Sequence, residues 1–292
     1  MPLFDADFLS RLEQLSIVSR QFVGGQLLAQ RPTRRTGGGV EFADHREYNL
    51  GDDFRYLDWN LYARHGELLL KRFHAEEDLH VYLMVDCSGS MCDQDQSKFN
   101  LARRTAAALA YIALTDLDRV SLCGFAQGMQ RDFPLTRGKE RVVAMLKFLE
   151  QLKADQAGTS LLESMRQFVA RRQRPGLAVV VSDFYDPAGF ENALNLLLHH
   201  RYEPHVIQIH LPGEANPALT GALELVDAES GQSRSVEVSR EDLRRYCAEY
   251  EDFLKRLSDY CLQKTLSCTI ASADTPFDEL ILRMLRQSGT LA

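Results

Sequence analysis

Short apolar runs alternate with helical patterns over most of the chain. The strongest run, VYLMV at residues 81–85, is followed at once by Asp86, and such a run is typical of a strand that is covered on both faces. Comparable runs predict further strands at 119–125, 129–134, 179–183, 205–211 and 266–271. Apolar residues three and four positions apart predict helices at 98–117, 139–152, 161–172, 190–200, 239–263 and 276–287. Strands that alternate with helices predict an α/β fold with a doubly wound, mostly parallel sheet.

The first part of the chain carries a different pattern. Phe8, Leu12 and Leu15 recur at helical spacing and predict an amphipathic helix over about 7–23. We expect this helix to pack on the main domain, and the alternative is a docking face for a partner. The segment RPTRRTGGG at 31–39 lacks the Gly-Lys-Ser/Thr signature of a phosphate-binding loop. It is interpreted as a basic loop that meets an acidic partner, or as a solvated linker.

A second departure from the alternation lies in the last third of the chain. Residues 223–226 and 235–238 flank the turn-forming residues 229–232, which predicts a β-hairpin inserted at the edge of the sheet. The patterns together predict two parts. These are an amino-terminal helical and loop extension, 1–78, and the α/β domain, 79–292.

Composition narrows the classes of function. The 292 residues are 45% hydrophobic and carry a formal net charge of −7, which argues against a general binder of nucleic acid or of anionic membrane surfaces. The longest apolar runs are shorter than the roughly 18 residues that a membrane span requires. No leader with a charged and then an apolar segment precedes Phe8, so a cytoplasmic location is expected. The six cysteines form no CxxC pair, and neither a disulfide framework nor a zinc site is expected.

The candidate chemistry lies where the apolar strands end. Asp86, Ser88 and Ser90 follow the first strong strand at alternate positions, so their oxygens can point at one spot. Thr159 precedes a predicted helix, and Asp183 ends another apolar strand. Because the carboxyl ends of neighbouring parallel strands meet at one edge, these five side chains are expected to converge. Two carboxylates and three hydroxyls suit Mg²⁺, or Mn²⁺, better than zinc.

The stretch 42–64 alternates charged residues with aromatic residues and contains the only tryptophan. Asp52 or Asp53 is placed to cap a short helix with Phe54 and Leu57 on one face. The charged residues predict a salt-bridge network that braces the neighbouring strand, and the alternative is a partner-binding surface. The candidate partner-binding residues are Arg46, Tyr48, Asp52, Asp53, Arg55, Asp58, Trp59 and Arg64.

These motifs resemble two related families. The pattern Asp86-x-Ser88-x-Ser90, then Thr159, then Asp183 resembles the metal-ion-dependent adhesion site of von Willebrand factor A domains, which have a Rossmann-like fold. The order of strands and helices after residue 79 is similar to that fold. The motif therefore implies the same five residues as ligands of Mg²⁺ or Mn²⁺.

The run REYNLGDDFRYLDW at 46–59, followed by Ala63 and Arg64, resembles the bacterial family labelled domain of unknown function fifty-eight. Leu50 and Tyr62 depart from that family's pattern, where a proline and a serine are common. Genes of this family usually accompany MoxR-type AAA+ ATPases. The resemblance implies a binding module and not an enzyme. The ion would leave one position to a partner's acidic side chain, and the partner would be such an ATPase or a client protein in assembly or maturation.

Two other functions stay open at this stage. A metal-dependent hydrolase would need a placed general base or a second metal, and no histidine lies near Asp86, Thr159 or Asp183 in the sequence. A purely structural metal-stabilised scaffold would use the same ligands without a partner.

Overall fold

The computed structural model describes residues 3–23, 36–49, 52–74, 79–92, 95–154, 158–171, 174–217, 219–227 and 232–290. The chain divides into two compact units. The larger unit comprises Met1–Leu28 and Leu79–Ala292, and the smaller unit comprises Ala29–Asp78. The predicted boundary between residues 78 and 79 coincides with one limit of the smaller unit. The first helix belongs to the larger unit, whereas the division drawn from the sequence groups it with the extension 1–78.

The elements follow the predicted alternation closely. The strands are β1 (Thr36–Glu47), β2 (Leu69–His74), β3 (His80–Asp86), β4 (Arg119–Phe125), β5 (Met129–Arg137), β6 (Leu177–Ser182), β7 (Glu203–His210), β8 (Gly221–Val226), β9 (Ser233–Val238) and β10 (Ser267–Ser272). The helices are α1 (Ala6–Val23), α2 (Trp59–His65), α3 (Ser97–Thr115), α4 (Val142–Gln151), α5 (Leu161–Ala170), α6 (Glu191–His199), α7 (Pro212–Ala215), α8 (Arg240–Gln263) and α9 (Phe277–Thr290). Short 3-10 turns lie at Phe54–Tyr56, Gly89–Met91 and Lys139–Arg141.

The core of the larger unit is a six-stranded sheet in the order β10-β7-β6-β3-β4-β5. The pairs from β10 to β4 are parallel, and only β5 runs antiparallel to its neighbour. The sheet is therefore mixed but mostly parallel, as the alternation of strands and helices predicts. The α/β class is confirmed.

Both faces of this sheet are covered, which explains the continuous apolar run in β3. Val81, Leu83 and Val85 point into a core shared with α1, α3, α4 and α9. Tyr82 and Met84 point into a second core shared with α5, α6 and α8. A strand whose side chains are buried on both sides needs apolar residues at consecutive positions. The prediction of a sheet covered on both faces is confirmed.

Helix α1 packs as part of the larger unit. Its predicted apolar stripe, Phe8, Leu12 and Leu15, is buried in the same core as α3 and α9. Asp5 accepts a hydrogen bond from the backbone N–H of Phe8 at 2.8 Å and so helps to start the helix. Because the stripe is covered by the chain's own core, it is not available as a docking face.

The smaller unit is built on an antiparallel pair of strands, β1 and β2. Part of the predicted basic loop, residues 31–35, lies outside the described residues. The rest, residues 36–39, belongs to β1, so the prediction of a loop there was wrong. Glycines have low strand propensity, but backbone pairing with β2, such as Gly37 opposite Phe73, overrides that preference.

The predicted hairpin is present but not where it was expected. Strands β8 and β9 pair with each other in a separate two-stranded sheet and do not extend the central sheet. Most of their side chains are exposed, so no buried face fixes them to an edge strand. Among the described helices, none combines the length and hydrophobicity that crossing a bilayer would need.

Candidate metal centre

The candidate site lies at the carboxyl edge of the central sheet, at the point where the strand order reverses. From β3 the chain proceeds to β4 on one side, while β6 lies on the other side of β3. Helix α3 after β3 and helix α6 after β6 pack in the two different cores. Connections that diverge to opposite faces leave a crevice at the strand ends, and open α/β sheets bind ligands there.

Asp86 ends β3 and is completely buried. Its Oδ1 accepts a hydrogen bond from the backbone N–H of Ser88 at 2.9 Å, and its Oδ2 accepts one from the hydroxyl of Ser182 at 2.5 Å. The hydroxyl oxygens of Ser88 and Ser90 are 3.0 Å apart, at the start of the 3-10 turn that follows β3. The structure therefore brings together the first three predicted ligands.

Asp183 lies in the loop directly after β6, next to β3 in the sheet. Its Oδ1 accepts a hydrogen bond from the backbone N–H of Tyr185 at 3.2 Å, and its Oδ2 lies 3.0 Å from the ammonium nitrogen of Lys98. The next residue, Phe184, is buried and has a positive φ of 62°. Its backbone N–H donates to the hydroxyl of Ser182 at 2.8 Å. Left-handed backbone at a non-glycine residue costs about 1–3 kcal/mol and is found most often at functional sites.

The loop that carries Thr159 is tied to the same edge of the sheet. The backbone N–H of Ser160 donates to the carbonyl of Ala126, just past the end of β4, at 2.9 Å. The backbone N–H of Leu161 donates to Oδ2 of Asp186 at 2.7 Å. Asp186 follows Asp183 by three residues, so this bond connects the two loops. Thr159 directly precedes these two anchored residues.

The electrostatics of this edge favour a divalent cation. Burial raises the pKa of Asp86, and the negative charge of Asp183 raises it further. Within the described part of the chain, no lysine, arginine or histidine forms an ion pair with Asp86. Lys98 pairs with Asp183 and with the partly exposed Glu214, whereas the fully buried carboxylate of Asp86 has no cationic partner among the described residues. An isolated buried charge is costly, and a bound divalent ion would balance this one.

The donor set also fits a hard cation. The described residues contain no cluster of three or more histidine, cysteine, aspartate or glutamate side chains that could hold a metal ion by themselves. Here two carboxylates are supplemented by serine and threonine hydroxyls, and oxygen ligands suit Mg²⁺ or Mn²⁺. The residues present therefore fit the predicted ion.

Four residues of this site were not predicted as functional residues. Ser182 is opposite Asp86 because the parallel register pairs Val85 with Val181, and a sequence without the register does not show this. Asp186 could have been noticed, since it repeats a carboxylate three residues after Asp183. Lys98 and Glu214 are 116 residues apart, and no local pattern connects them.

The charged residues of the smaller unit form local ion pairs. The guanidinium of Arg46 lies 2.5 Å from Oδ1 of Asp52, and that of Arg55 lies 2.6 Å from Oδ2 of Asp53. Each pairing lowers the pKa of the aspartate, first through the side-chain hydrogen bond to the arginine. Arg64 is exposed in the last turn of α2.

Asp58 is the most connected of the predicted residues in this unit. Its carboxylate caps α2 by accepting from the backbone N–H groups of Asn60 and Leu61. Its other oxygen lies 3.1 Å from His45 in β1 and 3.3 Å from Lys71 in β2. Burial opposes ionisation of Asp58, but its hydrogen bonds, the largest from His45, lower its pKa to about 2. Asp58 thus connects the helix to both strands.

Aromatic side chains of the smaller unit remain exposed. Trp59 is 60% exposed and Phe54 is 62% exposed, and Tyr62 packs edge-on against Trp59. Tyr48 stacks on Phe54 at 5.5 Å between ring centroids. The prediction that Phe54 and Leu57 share one face of a short helix was wrong. The 3-10 turn ends before Leu57, and Leu57 is buried whereas Phe54 is exposed.

The fold and the site define an α/β protein with buried carboxylates and hydroxyls at the switch point of its sheet. The chain belongs to the family described as "Protein of unknown function DUF58", whose model matches residues 44–253. That match includes both the 46–59 motif and the whole candidate metal centre. The resemblance seen in the sequence to this family is confirmed.

Curated relatives and solved structures add little about activity. Uncharacterized proteins of Mycobacterium bovis and Mycobacterium tuberculosis are 26% identical to this chain over 275 residues, which cover 90% of this chain and 85% of each relative. A conserved hypothetical protein, BatB, of Bacteroides thetaiotaomicron is 14% identical with a TM-score of 0.45, covering 73% of this chain and 99% of that one. An aerotolerance-related membrane protein of Bacteroides fragilis is 16% identical with the same TM-score and the same coverage. A TM-score of 0.45 is too low to establish a shared fold.

Proposed function

We propose that this protein is a divalent-cation-dependent adaptor for protein–protein interaction, with a von Willebrand factor A-like domain in the larger unit. One observation carries the proposal. Asp86 is fully buried, lies within the electrostatic reach of Asp183 and has no cationic partner among the described residues. The proposed ligands of Mg²⁺, or of Mn²⁺, are Asp86, Ser88, Ser90, Thr159 and Asp183.

The ligand set explains why the ion would recruit an acidic partner. A bound divalent ion could coordinate a carboxylate oxygen from a partner protein. The hydroxyls of Ser88, Ser90 and Thr159 are neutral, so they orient towards the ion without cancelling its charge. Asp86 is held by Ser88 and Ser182 from two sides, and this fixes its carboxylate before any ligand arrives. Preorganised donors of this kind reduce the ordering cost of binding.

The partner follows from the family resemblance. We propose a MoxR-type AAA+ ATPase, or a client protein presented to it, as the source of the acidic side chain, and a cytoplasmic site of action in assembly or maturation of clients. On this account the chain binds and positions a partner and is not an enzyme.

The smaller unit is proposed as a second contact surface. Its exposed aromatic residues, including Trp59 and Phe54, stand beside the arginines Arg55 and Arg64. Tryptophan, tyrosine and arginine are the residue types that most often dominate binding energy at protein interfaces. The ion pairs of Arg46 and Asp58 then serve to hold that surface in shape.

Substitution of Thr159 by valine tests the adaptor function at constant Mg²⁺. Valine has nearly the shape of threonine but lacks the hydroxyl, so binding to the purified MoxR-type ATPase of the same bacterium should weaken at least about tenfold, by the loss of one ion ligand. Binding is measured by interferometry at fixed Mg²⁺, because a chelator would also strip the ATPase of its nucleotide-bound ion.

Thr115→Val is the matched control, because Thr115 is the last residue of α3 and its hydroxyl donates to the carbonyl of Tyr111 in the same helix. Its affinity for the ATPase should stay that of the wild type. Equal affinity of Thr159→Val and wild type would contradict the proposal. Trp59→Ala tests whether the smaller unit and the ion site are independent contact surfaces. If they are independent, Trp59→Ala should weaken ATPase binding by the same factor in the wild type and in Thr159→Val.

A further inference from the structure

Lys98 is a buried lysine at the centre of the candidate site. It is the second residue of α3, the helix that follows the Asp86 loop, and its side chain is only 1% exposed. Its ammonium nitrogen lies 3.0 Å from Oδ2 of Asp183 and 2.6 Å from Oε1 of Glu214. A lysine is almost never buried unless it is paired. Here Lys98 bridges Asp183, which is a proposed ligand of the ion, and Glu214, which is not a proposed ligand.

Glu214 is held in place independently of Lys98. It lies in the helical turn α7, just after the end of β7. Its Oε2 accepts a hydrogen bond from the backbone N–H of Leu211 at 2.8 Å and one from the hydroxyl of Tyr185 at 3.3 Å. The carboxylate of Glu214 is therefore a fixed partner for the ammonium, whatever happens at Asp183.

We propose that Lys98 is a built-in counter-ion that competes with the divalent cation for Asp183 and thereby sets the affinity of the site. This inference rests on the proposed ion site. Without an ion, the ammonium neutralises Asp183. With an ion bound, Lys98 is repelled by the second positive charge and keeps Glu214 as its partner. Glu214 thus gives the displaced ammonium a place within the core.

The charges in the site explain the direction of each substitution. Like charges a few ångströms apart repel each other at the effective dielectric of a protein interior. Removing the ammonium therefore removes a repulsion to the ion and frees an oxygen of Asp183. Removing the charge of Glu214 has the opposite effect, because it takes away the carboxylate that holds the ammonium away from Asp183. A merely structural role for the bridge would instead make both substitutions weaken ion binding.

Calorimetric titration with Mg²⁺ tests this inference on the full chain. We expect Lys98→Met to bind Mg²⁺ at least about tenfold more tightly than wild type, and Glu214→Gln to bind it at least about threefold more weakly, from the same Coulomb argument. Lys147→Met is the matched control, because Lys147 is exposed on α4 and its loss changes the net charge equally. Its Mg²⁺ affinity should equal that of the wild type.

Thermal melting with and without Mg²⁺ gives a second readout. Metal-free Lys98→Met should melt below wild type, because the fully buried carboxylate of Asp183 loses its counter-ion. Mg²⁺ should raise the melting temperature of this variant more than that of the wild type. If Lys98→Met fails to fold without Mg²⁺ but folds with it, the inference is supported. Glu214→Gln keeps the pair between Lys98 and Asp183 and tests the inference even if Lys98→Met does not fold in either condition.

Three outcomes would overturn the inference. If the wild type binds Mg²⁺ and Lys98→Met binds it equally or more weakly, Lys98 does not compete and the ion site itself stands. If Glu214→Gln binds Mg²⁺ as tightly as wild type, Glu214 does not hold the Lys98 ammonium when the ion binds, and the inference is wrong. If neither the wild type nor any variant responds to Mg²⁺ in either measurement, the proposed ion site fails and the inference fails with it.

Discussion

Replacement of Asp86 by asparagine is expected to abolish Mg²⁺ binding and to raise the melting temperature of the metal-free protein. Asparagine keeps the size of the side chain. Its oxygen can still accept from Ser88 and its amide group can donate to the hydroxyl oxygen of Ser182, but it removes a buried negative charge that lies near Asp183. Loss of a charged ligand should weaken Mg²⁺ binding by at least about a hundredfold. Relief of the repulsion should stabilise the metal-free fold by about 1–2 kcal/mol.

Both effects are measured on one preparation. Calorimetric titration gives the Mg²⁺ affinity, and thermal melting in chelator gives the stability. Asp252→Asn is the matched control, since Asp252 is exposed on α8 and its replacement changes the charge equally. If Asp86→Asn binds Mg²⁺ like the wild type, Asp86 is not a ligand. If it melts lower in chelator, the carboxylate is stabilising the metal-free fold and the electrostatic argument is wrong.

Replacement of Ser182 by alanine is expected to lower both stability and Mg²⁺ affinity. The hydroxyl of Ser182 donates to Oδ2 of Asp86 and accepts from the backbone N–H of Phe184, so alanine leaves two buried polar groups unpaired. Leaving a buried group unpaired costs about 1–3 kcal/mol, and two such groups should cost about 2–6 kcal/mol. Because Asp86 also loses one of its two fixed contacts, Mg²⁺ binding should weaken roughly tenfold.

Ser121→Ala separates these two effects. The hydroxyl of Ser121 in β4 donates to the carbonyl of Phe133, so its loss removes one buried hydrogen bond within the strand pair β4 and β5. Denaturant unfolding should show a smaller loss of stability, about 1 kcal/mol, and Mg²⁺ affinity should not change. If Ser182→Ala retains wild-type Mg²⁺ affinity, Ser182 contributes only to folding and does not position Asp86.

The order of elements in the larger unit could be predicted because its strands are covered on both faces. Such strands, like β3 and β6, appear in the sequence as short continuous apolar runs. An amphipathic helix instead has apolar residues three and four positions apart. The polar residues that end them, Asp86 and Asp183, could be found for the same reason. Parallel strands place those ends at one edge, so topology alone puts Asp86 and Asp183 on the same side of the sheet.

What could not be predicted depends on register and on long-range pairing. Ser182 faces Asp86 only because of the register between β3 and β6. The bridge from Asp183 through Lys98 to Glu214 joins three separate loops and helices. A lysine near the start of a helix is usually solvated, and only the packing of α7 over it shows that this one is buried. These contacts are properties of the folded chain and leave no local pattern.

The smaller unit was the least predictable part for a related reason. Its strands β1 and β2 pair with each other in a two-stranded sheet, so they lack the continuous apolar run of a buried strand. Asp58 was predicted as part of a salt-bridge network but not as the cap of α2. A residue with several competing partners, such as His45 and Lys71, can be assigned only when the distances are known.

The most direct test of the account is anomalous diffraction from a crystal of the full chain soaked in Mn²⁺. The account predicts one strong anomalous peak at the end of β3, within about 2.0–2.4 Å of the ligating oxygens of Asp86, Ser88 and Ser90, with a coordination position open towards the solvent. A peak elsewhere with none at this edge, or no peak at Mn²⁺ concentrations that saturate oxygen sites, would contradict the central claim that these oxygens hold a cation for a partner.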